Sequence, residues 1–348
     1  MKRIALVTDA WHPQINGVVT TLGHTVKNLQ HLGFRVETFT PSRFRSIPCP
    51  SYPEIRLALA GRRQLAKPLL AFAPHAVHIA TEGPLGWAAR AVCGDYRFPF
   101  TSSYHTRFPE YLRLRWPIPL QVSYRLLRRF HRRAMRTMVA TAALQNELDR
   151  RGFGETVLWS RGVDTALFKP TAKGLPGEPR PILISVGRVA VEKNIEAFLQ
   201  LDIPGTKYVV GDGPARAELS RAYPDVRFTG YRTGPDLAAL IAAADLFVFP
   251  SRTDTFGVVM LEAMAAGVPV AAYPVDGPLA SVVNGVNGWL DEDLRHAALQ
   301  ALQVAPESCR QYALRHSWEV CSRQFLAHLA LQESPLGPDW RPVAVTVS

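Results

Sequence analysis

Twice along this chain of 348 residues, short apolar runs alternate with stretches of helical spacing, and a break rich in glycine and proline separates the two series. No other feature narrows the fold as much. In the first series, "RIALVTD" (3–9) reads as a buried strand, "GVVTTLGHTVKNLQHLG" (17–33) as a helix closed by Gly33, and "FRVETFTP" (34–41) as the next strand. "AVHIAT" (76–81), a helix after Gly83 and "FPFTSSYH" (98–105) continue it. Beyond the break at 157–181, "ILISVG" (182–187), "KYVVGDG" (207–213), "VRFTG" (226–230), "LFVFPS" (246–251) and "PVAAYP" (269–274) read as strands, most of them followed by helical stretches. Such alternation implies a parallel sheet covered by helices. A chain this long exceeds one ordinary core. The expected fold class is α/β, with two doubly wound Rossmann-like domains facing a cleft. The first domain is expected at 1–160, a linker at 161–181 and the second domain from 182 to 317.

Charge separates the two halves. Residues 1–160 hold 23 Lys/Arg against 9 Asp/Glu, a net +14, and residues 161–348 hold 17 against 20, a net −3. That asymmetry implies an anionic surface or partner for the first half, membrane or nucleic acid. Cys49, Cys93, Cys309 and Cys321 are scattered without C-x-x-C spacing and read as reduced thiols of a cytosolic protein. The apolar run in "MKRIALVTDAWHP" is too short for a signal sequence and is broken by Asp9. No apolar stretch reaches the ~20 residues needed to span a bilayer.

Ligands of doubly wound sheets bind at the carboxyl ends of the strands, so the strand ends carry the candidates. In "DAWHPQINGVV" (9–19), Gly17 would let the backbone approach an anion at a helix start. In "SVGRVAVEKN" (185–194), Arg188 and Lys193 suit a diphosphate; as isolated charges they read equally as a solvated loop. In "SRTDTFGVVMLEAMAAGVPV" (251–270), Thr255, Phe256 and Gly257 would offer backbone N–H groups at a helix start, flanked by Asp254 and, about a turn and a half in, Glu262. His105, ending "FPFTSSYH", reads by itself as a structural histidine. There is no zinc spacing and no Walker loop, and "DED" (291–293) lies in an acidic loop, so no metal is expected.

Residues 111–146 contain no acid. Arg125, Arg128, Arg129, Arg132 and Arg136 fall on one helical face, with Arg133 beside them; Leu120, Tyr124, Leu127, Phe130, Ala134 and Met138 fall on another. This is the pattern of a basic amphipathic helix that lies on an anionic membrane surface.

Taken in order, these segments resemble glycosyltransferase family 4, retaining enzymes of the GT-B fold. The likeness is strongest from "ISVGRVAVEKN" through "VVGDGP" and "VRFTGY" to "FVFPSRTDTFGVVMLEAMAAGVPVAAYPV". The segments "DAWHPQINGVVTTL", "SSYHTRFPEY" and "RGVDTALFKP" are similar to the branch that holds diacylglycerol glycosyltransferases and GDP-mannose-dependent mannosyltransferases. The resemblance implies that Gly17 lets the donor diphosphate approach and that Arg188 and Lys193 bind it. It implies that Glu262 holds the ribose, that Asp254 grips the sugar hydroxyls in place of the family's usual Glu, and that Thr255, Phe256 and Gly257 supply backbone donors. It places His105 near the anomeric carbon and identifies 318–334 as a C-terminal helix crossing back to the first domain.

The function expected is transfer of a sugar from a nucleotide-sugar donor, a UDP-sugar first, to a membrane lipid acceptor, most of all diacylglycerol. The reaction would be retaining and need no metal or other cofactor. The enzyme would work in the cytoplasm, peripherally on the inner face of the membrane. A second enzyme reading is a GDP-mannose-dependent mannosyltransferase acting on a polyprenyl-linked or soluble saccharide. A non-enzyme reading takes the basic half as a nucleic-acid surface. Against it, no RRM, KH or helix-turn-helix signature accompanies the charge, so no nucleic-acid partner is expected.

Overall fold

The computed structural model describes residues 1–14, 16–49, 52–254, 256–337 and 340. The chain divides into two compact units, one of Met1–Ser160 with the residues from Cys321 onward, the other of Arg161–Val320.

The first unit holds β1 (Arg3–Val7), β2 (Arg35–Phe39), β3 (Ser46–Cys49), β4 (Tyr52–Ala58), β5 (Ala76–Ile79), β6 (Phe100–Tyr104), β7 (Arg136–Val139) and β8 (Thr156–Leu158). Six of these form a parallel sheet in the order β2-β1-β5-β6-β7-β8, while β3 and β4 pair as a separate antiparallel hairpin. The helices are α1 (Gly17–His31), α2 (Arg62–Phe72), α3 (Pro84–Asp95), α4 (Phe108–Arg115), α5 (Leu120–His131) and α6 (Ala142–Arg150). Ile4, Ala5, Leu6 and Val7 are wholly buried, as expected of a strand covered on both faces.

The second unit holds β9 (Ile182–Val186), β10 (Thr206–Val210), β11 (Arg227–Gly230), β12 (Leu246–Phe249), β13 (Val270–Ala272) and β14 (Gly288–Leu290), in the order β11-β10-β9-β12-β13-β14 and parallel throughout. Its helices are α7 (Ile195–Leu199), α8 (Arg216–Ala222), α9 (Gly234–Ala243), α10 (Val258–Ala265), α11 (Asp276–Leu279), α12 (Leu294–Ala301) and α13 (Pro306–Leu314). A last helix, α14 (Trp318–His328), follows.

Each sheet reverses its strand order once, between β1 and β5 in the first unit and between β9 and β12 in the second. The loops leaving the carboxyl ends of those four strands are the ligand positions of such sheets.

The basic stretch is not one helix. The helical run ends at His131, and Arg136 opens strand β7 beside β6. Arg136 pairs with Glu155 at 2.9 Å, so it leaves the arginine face expected for it. Ala134 and Met138 likewise lie beyond the helix. Among the described residues, no helix is long and apolar enough to cross a membrane.

Candidate active site

In the second unit, the loop leaving β9 and the loop leaving β12 carry most of the residues singled out above. Gly187 follows β9 at φ 155°, and Gly211 follows β10 at φ 144°. A Cβ at Gly211 would stand 1.8 Å from the Gly187 carbonyl oxygen, and one at Gly213 would stand 2.4 Å from that of Val189. Glycine is required where the loops leaving β9 and β10 touch backbone to backbone. Arg188 and then Lys193 come next, Lys193 closing a short turn that precedes α7.

The loops leaving β9 and β12 are stitched together. Asn194 Nδ2 donates to the Pro250 carbonyl at 3.1 Å. Thr253 Oγ1 donates to the Glu192 carbonyl at 3.1 Å, and Ser251 Oγ reaches the same oxygen at 3.5 Å. Lys193 Nζ donates to Asp254 Oδ1 at 2.5 Å. The other Asp254 oxygen, Oδ2, is buried and takes no hydrogen bond among the described residues. A buried carboxylate oxygen without a donor is costly unless a ligand supplies one.

Phe256 is buried, and Gly257 caps α10 in the left-handed region at φ 80°. A Cβ there would meet Phe249 Cζ at 2.8 Å. Thr255 lies outside the described residues. Helix α10 is buried almost all round, with only Val259 and Glu262 partly exposed. Burial pushes the Glu262 carboxyl up to about 7. A further residue, absent from the sequence reading, supports this corner. A Cβ on Gly277 would stand 2.9 Å from the carbonyls of both Asp254 and Phe256, so α11 packs directly on that loop.

In the first unit, Gly17 opens α1, and the Asn16 side chain accepts from Val18 N and Val19 N, both at 3.0 Å. Among the described residues, apart from its chain neighbours and its own helix backbone, no atom lies within 4 Å of the position a Cβ on Gly17 would take. His105 is buried just past β6, its ring centroid 5.6 Å from that of Trp159. Asp9, just past β1, was read only as a charge that ends an apolar run. It accepts from Leu85 N at 3.0 Å, Gly86 N at 3.4 Å and Thr81 Oγ1 at 3.0 Å, and so caps α3. Burial outweighs those bonds and, with the charge of Glu82, pushes its carboxyl up to about 6.

Helix α5 turns Tyr124, Leu127, Phe130 and His131 inward and exposes Val122, Arg125, Leu126, Arg128 and Arg129. Arg125, Arg128, Arg129, Arg132, Arg133 and Arg90 line one surface depression. Arg90 holds it in place by donating to the carbonyls of Phe130 at 3.0 Å and Arg129 at 2.8 Å. Two apolar side chains, Val122 at 57% and Leu126 at 54% exposure, stand among these cations.

Two family models match the chain. Glycosyltransferase Family 4 covers residues 15–167, and Glycosyl transferases group 1 covers residues 180–304. The sulfoquinovosyl transferase of Arabidopsis thaliana is 30% identical over 79% of this chain and 60% of that protein, so the match spans less than two thirds of that relative. A GDP-mannose-dependent alpha-mannosyltransferase of Mycobacterium tuberculosis is 27% identical over 94% of this chain and 96% of that protein. An alpha-monoglucosyldiacylglycerol synthase of Streptococcus pneumoniae is 25% identical over 93% and 83%. Among solved structures, the sucrose-phosphate synthase of Thermosynechococcus elongatus superposes with a TM-score of 0.74 at 22% identity, covering 94% of this chain and 98% of that one. HepE of Anabaena, in complex with UDP-glucose, superposes with a TM-score of 0.70 at 19% identity, covering 94% and 99%.

Proposed function

The chain belongs to glycosyltransferase family 4, with the GT-B fold, and from that premise we propose that it moves a sugar with retention from a UDP-sugar to a hydroxyl of a membrane lipid, diacylglycerol first. The exposed face of α5 carries the lipid part of this reading. Arg125, Arg128 and Arg129 on the helix, Arg132 and Arg133 just past its end, and two bare aliphatic side chains, Val122 and Leu126, match a surface that is both anionic and apolar. The diacylglycerol-directed relative supports the acceptor, and the UDP-glucose complex of a fold neighbour supports the donor. Membership in an enzyme family also accounts for the second half of the chain, which a nucleic-acid reading left unexplained.

The reaction develops negative charge on a departing nucleoside diphosphate. Arg188 and Lys193 neutralise that charge, assisted by backbone donors of the 256–257 turn, and no metal is needed. Asp254 Oδ2 takes a hydroxyl of the donor sugar, and Glu262 takes the ribose. The family resemblance assigns His105 a role near the anomeric carbon. The sugar–phosphate bond breaks while the acceptor oxygen bonds the anomeric carbon from the same face. The acceptor's proton passes to the leaving phosphate oxygen. The enzyme works on the cytoplasmic face of the membrane, consistent with four cysteines that form no disulfide.

The mannosyltransferase match, which covers nearly the whole of both chains, favours one second reading, a GDP-mannose donor with a saccharide acceptor. Thermal stabilisation by UDP, GDP and ADP separates the donors. Labelled sugar nucleotides on diacylglycerol vesicles test the acceptor. Label confined to soluble products would overturn the lipid reading, and full loss of activity in EDTA would overturn metal independence.

A further inference from the structure

The switch point of the first unit contains an acid that neither the mechanism above nor the sequence reading employs. Glu82 sits in the loop leaving β5, opposite the loop that leaves β1, where doubly wound sheets receive their ligands. Its Oε1 lies 3.0 Å from His131 Nε2, while among the described residues Oε2 takes no hydrogen bond. The side chain is 17% exposed, so it is neither a core group nor a solvated surface acid.

His131 is wholly buried between Tyr104, Phe130 and Phe153. Its Nδ1 lies 2.9 Å from Ser102 Oγ, which in turn lies 3.2 Å from Thr137 Oγ1. Ser102 and Thr137 are buried too. A carboxylate only accepts, so Nε2 carries the proton toward Glu82. In the neutral ring, Nδ1 then accepts from the Ser102 hydroxyl, and Ser102 accepts from Thr137. The chain of bonds has one direction and ends on Glu82 Oε1. A buried and fully satisfied network of this kind fixes the rotamer of the group at its end. A surface acid with no task would not need three buried polar side chains behind it.

We propose that Glu82 is an acceptor-binding residue: Oε2 receives a hydroxyl of the acceptor, and His131, backed by Ser102 and Thr137, is the positioning residue that holds the carboxylate toward it. The assignment rests on the transferase reading but not on which hydroxyl compound is the acceptor. It also gives α5 a second task. The helix that turns its arginines outward ends in the histidine that aims Glu82.

The test compares the full-length wild type with Glu82→Gln, Glu82→Ala and His131→Gln. Acceptors are dioleoylglycerol in vesicles and methyl α-mannoside in solution, with labelled UDP-glucose and GDP-mannose as donors. Whichever acceptor the wild type glycosylates decides the acceptor reading, and the variants are then compared on that one, so the two ideas fail separately. For Glu82→Ala, the acceptor KM should rise about 10- to 100-fold. The affinity for the nucleoside diphosphate, measured by calorimetry, should stay at the wild-type value. Glu82→Gln should recover part of the loss, and His131→Gln should raise the acceptor KM less than Glu82→Ala does. An unchanged acceptor KM in Glu82→Ala, or a nucleotide affinity that falls in step with it, overturns the proposal.

Discussion

Lys193 Nζ and Asp254 Oδ1 stand 2.5 Å apart, tying the loop that leaves β9 to the loop that leaves β12. Both side chains are largely buried, at 22% and 16% exposure. Under the proposed mechanism each has a ligand of its own, the diphosphate for Lys193 and the sugar for Asp254. Replacing Lys193 with Ala should therefore lower kcat about 10²- to 10³-fold, the usual effect of losing one preorganised donor to a developing anion. Near-UV dichroism should show a folded protein. In a double-mutant cycle with Asp254→Asn, the two losses should not add, because the residues share one contact. Simple additivity would mean that the ion pair has no part in the site.

By the family resemblance, Asp254 takes the place of an acid that is usually the longer Glu. Asp is shorter by one C–C bond, ~1.5 Å, and the ion pair with Lys193 already engages one of its oxygens. Asp254→Glu would carry the carboxylate past that contact. A misplacement of ~1 Å can cost ~100-fold in rate, so the variant should change preference among UDP-sugars as well as turnover. A panel of donors assayed side by side checks this, and an unaltered ranking would remove Asp254 from sugar selection.

Glu262 offers a test by pH. Burial raises its carboxyl from 4.5 to about 7 in the folded chain. Its contribution to stability is therefore complete below about 4.5 and is lost as the pH rises through about 7. Glu262→Gln removes that titration, so the variant's melting temperature should gain on the wild type as the pH rises from about 4.5 to about 7 and hold that gain above it. Ribose hydroxyls donate to the ionised form. Wild-type affinity for the nucleotide should therefore increase as the pH rises through about 7, while that of the variant stays flat. Calorimetry reads both, and a wild-type affinity indifferent to pH would exclude the ribose contact.

Four strands of the first sheet (β1, β2, β5, β6), five of the second (β9 to β13) and the gathering of Arg188, Lys193, Asp254, Phe256 and Gly257 at one switch point were legible because they are local signals, whereas β7, β8 and β14 were not read as strands. Apolar runs end in glycine-rich turns, and the charges follow within a few residues. Gly17 and His105 fall in the first unit for the same reason. What could not be read depends on contacts between distant positions. Asp9 caps a helix 76 residues away, and Glu82 is aimed by a histidine 49 residues away. "ATEGPLG" did carry a signal, an acid between a buried strand and a helix start, but nothing local distinguishes a ligand-facing acid from a cap. The arginine helix was drawn too long because Arg136 and Met138 continue its periodicity by chance. A strand beside β6 outweighs that periodicity.

The glycines separate structural from ligand-facing roles. Gly211→Ala places a Cβ where only 1.8 Å remains to the Gly187 oxygen, at a φ of 144°. The cost should be about 2–4 kcal/mol, visible as a large fall in melting temperature. Gly17→Ala meets no atom of the described residues within 4 Å beyond its own helix and chain neighbours, so stability should stay within about 0.5 kcal/mol of the wild type. If the diphosphate approaches there, donor KM should nevertheless rise. A Gly17→Ala enzyme with normal donor kinetics would leave that glycine without a role in binding.

The arginine face yields a prediction with its own control. Each basic side chain near an anionic bilayer contributes about 1 kcal/mol. Neutralising Arg125, Arg129 and Arg132 together with Gln should therefore weaken binding to phosphatidylglycerol vesicles about 10²-fold. Wild-type binding should fall with added salt, because surface charges are screened over about 10 Å at 0.1 M. Arg136→Gln is the control. That side chain pairs with Glu155 at the start of β7, away from the exposed face of α5, so its loss should leave vesicle binding unchanged. Leu126→Ser should weaken binding at every salt concentration, since the contribution of an aliphatic side chain is not screened. Sedimentation with vesicles of fixed composition measures all four proteins. Equal losses in the triple variant and in Arg136→Gln would mean that total charge, and not the α5 face, attracts the protein to the surface.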